Sequence, residues 1–213
     1  MDGGQALIEA LEKQGVEYIW GISGGSAIPI FDALVTTGTS IKMILVRHEQ
    51  AAAHMADGYA RVTGKPGVVL VTSGPGATNT LTGIMTAHMD SVPMIVLTGQ
   101  QIRPMLGKDA FQEADIYGIT MPVVKHSYLV RETADIPRVV REAFHISNTG
   151  RPGPVLIDLP KDVTSGPFSG PLDPPMDLPG YDGTISTVDE DQVMAIAEAL
   201  GKSRRPVILA GHG

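Results

Sequence analysis

Two hydrophobic patterns alternate along the chain: amphipathic runs with the 3.6-residue period of a helix, and short unbroken apolar runs rich in Val and Ile, closed by Gly or Pro. The first kind predicts helices over residues 6–14, 27–35, 49–63, 77 to about 89, and 136–148. The second predicts strands at 18–21, 42–46, 68–72, 94–98 and 155–159, with a weaker run at 127–130. Runs that are apolar at every position bury both faces, as strands of a parallel sheet do. The β/α alternation therefore predicts an α/β fold: a doubly wound, mostly parallel sheet with helices on both faces.

From 164 to 186 the periodicity lapses, and Pro167, Pro171, Pro174, Pro175 and Pro179 stand among Gly and Asp. That composition predicts an extended linker between domains. Beyond it, 189–202 reads as an amphipathic helix, with Asp189 and Glu190 at its positive N-terminal end, and 206–210 as a strand. One helix and one strand cannot bury their apolar faces alone. The expected organisation is a first domain over 1–163, a linker over 164–186, and over 187–213 the opening of a truncated central α/β domain, so the chain reads as a piece of a longer one.

Composition narrows the class further. Hydrophobic residues make up 43% and charged residues 18% of the 213 positions, which fits a globular protein and excludes global disorder. The 25 Gly and 16 Pro are too many for a helical bundle, and 5% aromatics leaves a core of Val, Ile, Leu, Met and Ala. A net charge of −7 repels nucleic-acid phosphates and anionic membranes. The absence of cysteine excludes disulfides, thiolate metal sites and a cysteine nucleophile. The start at Met1-Asp2-Gly3-Gly4 lacks the basic and apolar parts of a secretion signal, and no apolar run approaches the ~18 residues of a membrane span. A cytoplasmic location is the default expectation.

Four constellations invite chemistry. Gly21-Ile22-Ser23-Gly24-Gly25 fits the G-x-S-x-G nucleophile elbow between a strand and a helix, but only one helix and one strand precede it and no partner histidine stands out. The milder reading is a flexible turn whose glycines admit backbone or ligand. Gly74-Pro75-Gly76-Ala77-Thr78-Asn79 opens a helix after a strand, as a dinucleotide fingerprint does. Asn79 replaces its third glycine, however, and no acid follows about 20 residues on. His48 and His54 are six apart, which turns them about 240° around a helix, so a shared metal is disfavoured. Glu49 sits at a helix start, where a carboxylate often complements the dipole. It also sits at the carboxyl end of a predicted parallel strand, where open α/β sheets bind ligands.

Taken in order, Arg47-His48-Glu49-Gln50-Ala51-Ala52-Ala53-His54-Met55-Ala56-Asp57-Gly58-Tyr59-Ala60-Arg61, then Thr72-Ser73-Gly74-Pro75-Gly76-Ala77-Thr78-Asn79, then Asp109-Ala110-Phe111-Gln112-Glu113 resemble the N-terminal, pyrimidine-binding domain of thiamine-diphosphate-dependent decarboxylases and carboligases. The last block, with Arg151-Pro152-Gly153-Pro154-Val155-Leu156-Ile157-Asp158-Leu159-Pro160-Lys161-Asp162, is most similar to the catalytic subunits of the acetohydroxyacid (acetolactate) synthase family. The resemblance spans residues 3–163 and runs on into the first unit of a central domain. It implies that Glu49 hydrogen-bonds N1′ of the aminopyrimidine and favours the imino tautomer, whose N4′ takes the proton from the thiazolium C2. It implies that Gly25, Thr72, Pro75, Gly76 and Asn79 line the pyrimidine pocket, and that Phe111, Gln112 and Lys161 approach the reacting 2-oxo acid.

Two positions depart from the family pattern: Ile22-Ser23 replaces Tyr-Pro, and Lys108 stands in place of Thr. A related enzyme acting on another 2-oxo acid or a sulfo-aldehyde, and a non-catalytic stand-alone module, are the competing readings. The resemblance places the diphosphate and Mg²⁺ in a C-terminal domain bearing a Gly-Asp-Gly motif, which this sequence lacks, and FAD, where used, against the central domain. It further implies a homodimer or higher homo-oligomer, compatible with a regulatory small subunit. The implied activity is decarboxylation of pyruvate and ligation of the two-carbon unit to a second 2-oxo acid, in valine and isoleucine synthesis. The 213 residues alone are expected to be inactive.

Overall fold

The computed structural model describes residues 1–176, 178–179 and 188–211. Six strands form one sheet in which every pair is parallel: β1 Tyr18–Gly21, β2 Lys42–Leu45, β3 Gly67–Val71, β4 Met94–Gln100, β5 His126–Leu129 and β6 Pro154–Pro160, in the order β2-β1-β3-β4-β6-β5. The expected doubly wound α/β fold is borne out. β3, β4 and β6 are buried along their whole lengths, which is why the sequence shows them as largely apolar runs, interrupted in β4 by Thr98 and Gln100 and in β6 by Asp158. β2 and β5 lie at the edges and are more exposed.

Alternate side chains of the central strands point to opposite faces. Trp20, Val69, Val71, Val96 and Leu156 pack with the alanines of α3 (Glu49–Thr63) and with Ile84 and Ala87 of α5 (Leu81–Met89). α1 (Gly3–Lys13) packs against α2 (Ile28–Thr36) and against α7 (Ile136–Asn148), which also contacts β6. The alanine face of α3 permits unusually close helix contact: a Cβ added at Gly83 would lie 2.4 Å from the Cβ of Ala53.

Local signals explain where elements begin and end. α1 starts three residues earlier than the hydrophobic period indicates, because Asp2 and Gln5 form a reciprocal capping box. α3 ends at Gly64, left-handed at φ 72°. The helix predicted over 77–89 is instead two, α4 (Pro75–Thr78) and α5. At the break the buried Thr80 hydroxyl donates to the carbonyl of Ala77, and Asn79 turns towards Glu49. Two short helices have no counterpart in the predicted elements: α6 (Ile116–Thr120) and α8 (Lys161–Thr164), each about one turn long.

The chain separates into two compact units, Met1–Leu178 and Pro179–Gly213. Part of the predicted linker lies along the first unit: Gly3 N–H donates to Gly166 O, Phe168 N–H to Met1 O, and Arg141 pairs with Asp173. In the second unit α9 (Glu190–Lys202) is capped by Asp189, and Val193, Met194, Ile196 and Leu200 are exposed on it. The strand predicted at 206–210 is not formed. A strand requires a hydrogen-bonded neighbour, and the described residues of this unit supply none, leaving Val207 and Leu209 almost wholly exposed. Residues 177 and 180–187, in the predicted linker and at the start of the predicted last domain, and residues 212–213 lie outside the described residues.

Gly21, the last residue of β1, lies against β3: a Cβ there would fall 1.7 Å from the carbonyl oxygen of Leu70. Gly21→Ala should therefore force β1 and β3 apart and destabilise the fold by about 3 kcal/mol, the upper part of the usual overpacking range. Urea unfolding of the variant measures this directly.

Candidate active site

The chain runs from β1 to the edge strand β2, then crosses back to β3 on the other side of β1. The loops leaving the carboxyl ends of β1 and β3 therefore diverge, and this reversal is where open α/β sheets form a ligand crevice. Here the two strand ends are joined by hydroxyls. Ser26 Oγ lies 2.9 Å from Thr72 Oγ1 and accepts the Ser73 N–H at 2.9 Å. A Cβ on Gly24 would lie 2.5 Å from that of Thr72, so this glycine makes the close approach, whereas one on Gly25 would meet open space. Ser23 is exposed beside them.

Glu49 is the first residue of α3, immediately after its cap His48, whose Nδ1 accepts the Gln50 N–H. The break between α4 and α5 sends Asn79 back across the crevice, where its Nδ2 donates to Glu49 Oε2 at 2.9 Å. Among the described residues nothing hydrogen-bonds Oε1. A Cβ at Gly76 would lie 3.5 Å from that oxygen and 2.6 Å from Thr72 Cγ2. Glu49, Thr72, Gly76 and Asn79 thus form one half-buried cluster, with Pro75 exposed at the first position of α4. His54 lies on α3 beside Gln50, and no group of three His, Asp or Glu side chains suited to a metal occurs among the described residues.

Phe111 and Gln112 belong to the loop 101–115 after β4, and both are exposed. The loop meets the cluster through its backbone: Gly74 has φ 59°, and a Cβ there would lie 2.5 Å from the carbonyl oxygen of Gln112. Asp109 and Gln112 themselves take positive φ, a conformation few side chains adopt without support. That support comes from Glu113, whose carboxylate accepts the N–H groups of Ala110, Gly107 and Lys108. These bonds hold its pKa below the usual range. The start of the loop is tied down by Arg103, which donates to Asp162 from both its backbone and its guanidinium. Lys161 precedes Asp162 at the start of α8, so the strand end that presents Lys161 also anchors the loop of Phe111 and Gln112.

Asp158 of β6 is a buried acid that the sequence reading left among apolar neighbours. Thr98 Oγ1 donates to its Oδ1 at 2.7 Å and Gln100 Nε2 to its Oδ2 at 2.9 Å. Burial pushes its pKa up to about 7, against those two hydrogen bonds and with help from the charge of Asp115. Sequence reasoning singled out Gly24 within the Gly21–Gly25 turn but missed Ser26, whose contacts follow from β1 lying beside β3.

Residues 1–119 match the family model described as the thiamine pyrophosphate enzyme N-terminal TPP binding domain. The chain is 48% identical over 215 residues to the acetolactate synthase large subunit of Haemophilus influenzae, covering 100% of this chain and 37% of that protein. It is 51% identical over 211 residues to the large subunit of Lactococcus lactis, covering 99% of this chain and 36% of the relative. The corresponding figures for the Buchnera aphidicola large subunit are 50% over 217 residues, with 100% and 37% covered. The chain thus spans about a third of the length of these curated relatives.

The Asp158 pKa carries a prediction about stability. The folded value of about 7 exceeds the ordinary 3.8, so the native state binds more protons between those limits. Asp158 should therefore favour the fold most below about pH 4, lose that contribution as pH rises towards 7, and add no further slope above it. Comparing the thermal midpoint of the parent with that of Asp158→Asn from pH 4 to 8 isolates this dependence, which the variant should lack.

Proposed function

The chain belongs to the thiamine pyrophosphate enzymes, matching their N-terminal TPP-binding domain, and from that membership we propose that it forms the pyrimidine-binding part of an acetolactate synthase. The whole enzyme decarboxylates pyruvate and joins the two-carbon unit to a second 2-oxo acid, in the route to valine and isoleucine. Two observations support this reading: identity near 50% to large subunits of that name over the length of the chain, and the Glu49–Asn79 pair at the sheet's reversal point.

The donor set fits the cofactor's aminopyrimidine. Glu49 is a half-buried carboxyl with one oxygen held by Asn79 and the other uncommitted among the described residues, suited to share a proton with a ring nitrogen. When bound, the cofactor supplies the electron sink for decarboxylation. Glu49 holds the proton at N1′, Asn79 fixes the orientation of Glu49, and Thr72, Pro75, Gly76 and Gly25 shape the pocket wall. Ser26 keeps Thr72 in register by the hydroxyl contact between the strand ends. Phe111, Gln112 and Lys161 face the 2-oxo acid: Lys161 attracts its carboxylate, Gln112 offers amide hydrogen bonds, and Phe111 excludes water. Diphosphate and Mg²⁺ are assigned to a separate C-terminal domain, and FAD to a central one. The working assembly is a cytoplasmic homodimer or higher homo-oligomer able to take a regulatory small subunit. No helix among the described residues is long and apolar enough to cross a membrane.

Two experiments test the roles. Glu49→Gln in the whole enzyme should slow deuterium exchange at the cofactor's C2 by roughly 10²–10⁴-fold, the scale of acid–base assistance. Unchanged exchange would remove Glu49 from the mechanism. Gln112→Ala and Lys161→Ala should each leave cofactor affinity nearly intact while lowering turnover or altering the choice of second substrate. Loss of cofactor binding with normal turnover at saturation would reverse that assignment.

A further inference from the structure

Asp158 has no contact with the Glu49 cluster among its described hydrogen bonds, yet its geometry reaches the substrate-facing loop. The Gln100 side chain stands between them with its hydrogen-bonding capacity engaged on both sides. Its Nε2 donates to Asp158 Oδ2 and to the carbonyl of Ala114, each at 2.9 Å, and its Oε1 accepts the Gln101 N–H at 2.8 Å. Gln101 Nε2 in turn donates to the carbonyl of Phe111. Turning the Gln100 amide over would set its oxygen against the Asp158 carboxyl and the Ala114 carbonyl, and its NH₂ against the Gln101 N–H. The contacts with Ala114 and Gln101 would become repulsive, and so would the contact with Asp158 in its ionised form.

We propose that Asp158 is a positioning residue that fixes loop 101–115, and with it Phe111 and Gln112, by locking the orientation of the Gln100 amide. The proposal rests on the reading of Phe111 and Gln112 as substrate-facing. Asp158 is itself fixed, because Thr98, its partner in the β4–β6 register, donates to its other oxygen, and all three side chains are buried. The remaining charged neighbour is Asp115, the last residue of the loop and the cap of α6. An apolar residue at 158 would leave only Ala114 and Gln101 to orient Gln100, with one amide hydrogen buried and unmatched. The acid therefore specifies a geometry more than it stabilises a core.

The test compares Asp158→Ala, Gln100→Ala and Asp158→Asn in the whole enzyme, by hydrogen exchange of the amides of residues 107–113 and by steady-state kinetics. Asp158→Ala and Gln100→Ala should each speed loop exchange by about tenfold or more through easier local opening. Each should lower turnover by about tenfold by misplacing the loop, while C2 exchange and cofactor affinity stay within about twofold because the Glu49 cluster is untouched. Asp158→Asn, which can still accept from Gln100 while donating to Thr98, should keep loop exchange and turnover near the parent values. The turnover losses of Asp158→Ala and Gln112→Ala should combine less than multiplicatively. If Asp158→Ala fails to fold, Gln100→Ala and Asp158→Asn decide the matter between them. Parent-like loop exchange in Gln100→Ala, or an Asn variant as impaired as the other two, overturns the proposal. So does a released loop with normal turnover where Gln112→Ala lowers it. A released loop with normal turnover in Gln112→Ala as well upholds the hold of Asp158 on the loop and removes the substrate reading instead.

Discussion

Parallel pairing is the constraint from which the architecture follows. A parallel strand reaches its neighbour only through a crossover, and crossovers place helices over both faces of the sheet. Both faces of β3, β4 and β6 are consequently buried, mainly among apolar side chains. Ligand-accessible chemistry is left to the strand ends. At the carboxyl ends the backbone emerges into loops and helix starts, and the reversal between β1 and β3 opens the space that Glu49 and Asn79 share.

The same burial explains the economy of polar contacts around that space. Each interior polar group near the strand ends is matched to a specific partner: Ser26 to Thr72 and Ser73, Thr98 and Gln100 to Asp158. In a low-dielectric setting an unmatched group costs far more than a matched one gains, so each pairing fixes a geometry sharply. The first set joins the two walls of the proposed cofactor pocket. The second joins β4 and β6 beneath the loop that carries Phe111 and Gln112.

Much of this was legible in the sequence, for identifiable reasons. Strands buried on both faces are dominated by apolar residues, so β3, β4 and β6 stand out even though β4 carries Thr98 and Gln100 and β6 carries Asp158. β5, an edge strand carrying His126, Ser127 and Tyr128, gives a weaker signal. α6 and α8 are too short to display a period, and the break after α4 is made by side-chain bonds that no hydrophobic pattern records. The run at 206–210 has the composition of a strand, but composition does not supply a neighbouring ladder. Glu49, Thr72, Gly76 and Asn79 fall within contiguous motifs and could be singled out. The close approach at Gly24 could be read from its glycine-rich turn, but its partner Thr72, and the bonds of Ser26, depend on which strand lies beside which, information that is absent from any local stretch. Asp158 was concealed because an acid inside an apolar strand has meaning only once Thr98 and Gln100 are found across the β4–β6 ladder.

The loop 101–115 is gripped by its main chain. Glu113 binds its amides, Gln100 and Gln101 bind its carbonyls, and Gly74 lies against the backbone of Gln112. Side chains at 108 and 111 take no part in that grip, so replacing them leaves the scaffold of the loop intact. A shelf of fixed height with exchangeable contents is a thermodynamically neutral place for selectivity to drift. Substitutions at 108 and 111 would thereby change what the loop displays while leaving in place the path it follows.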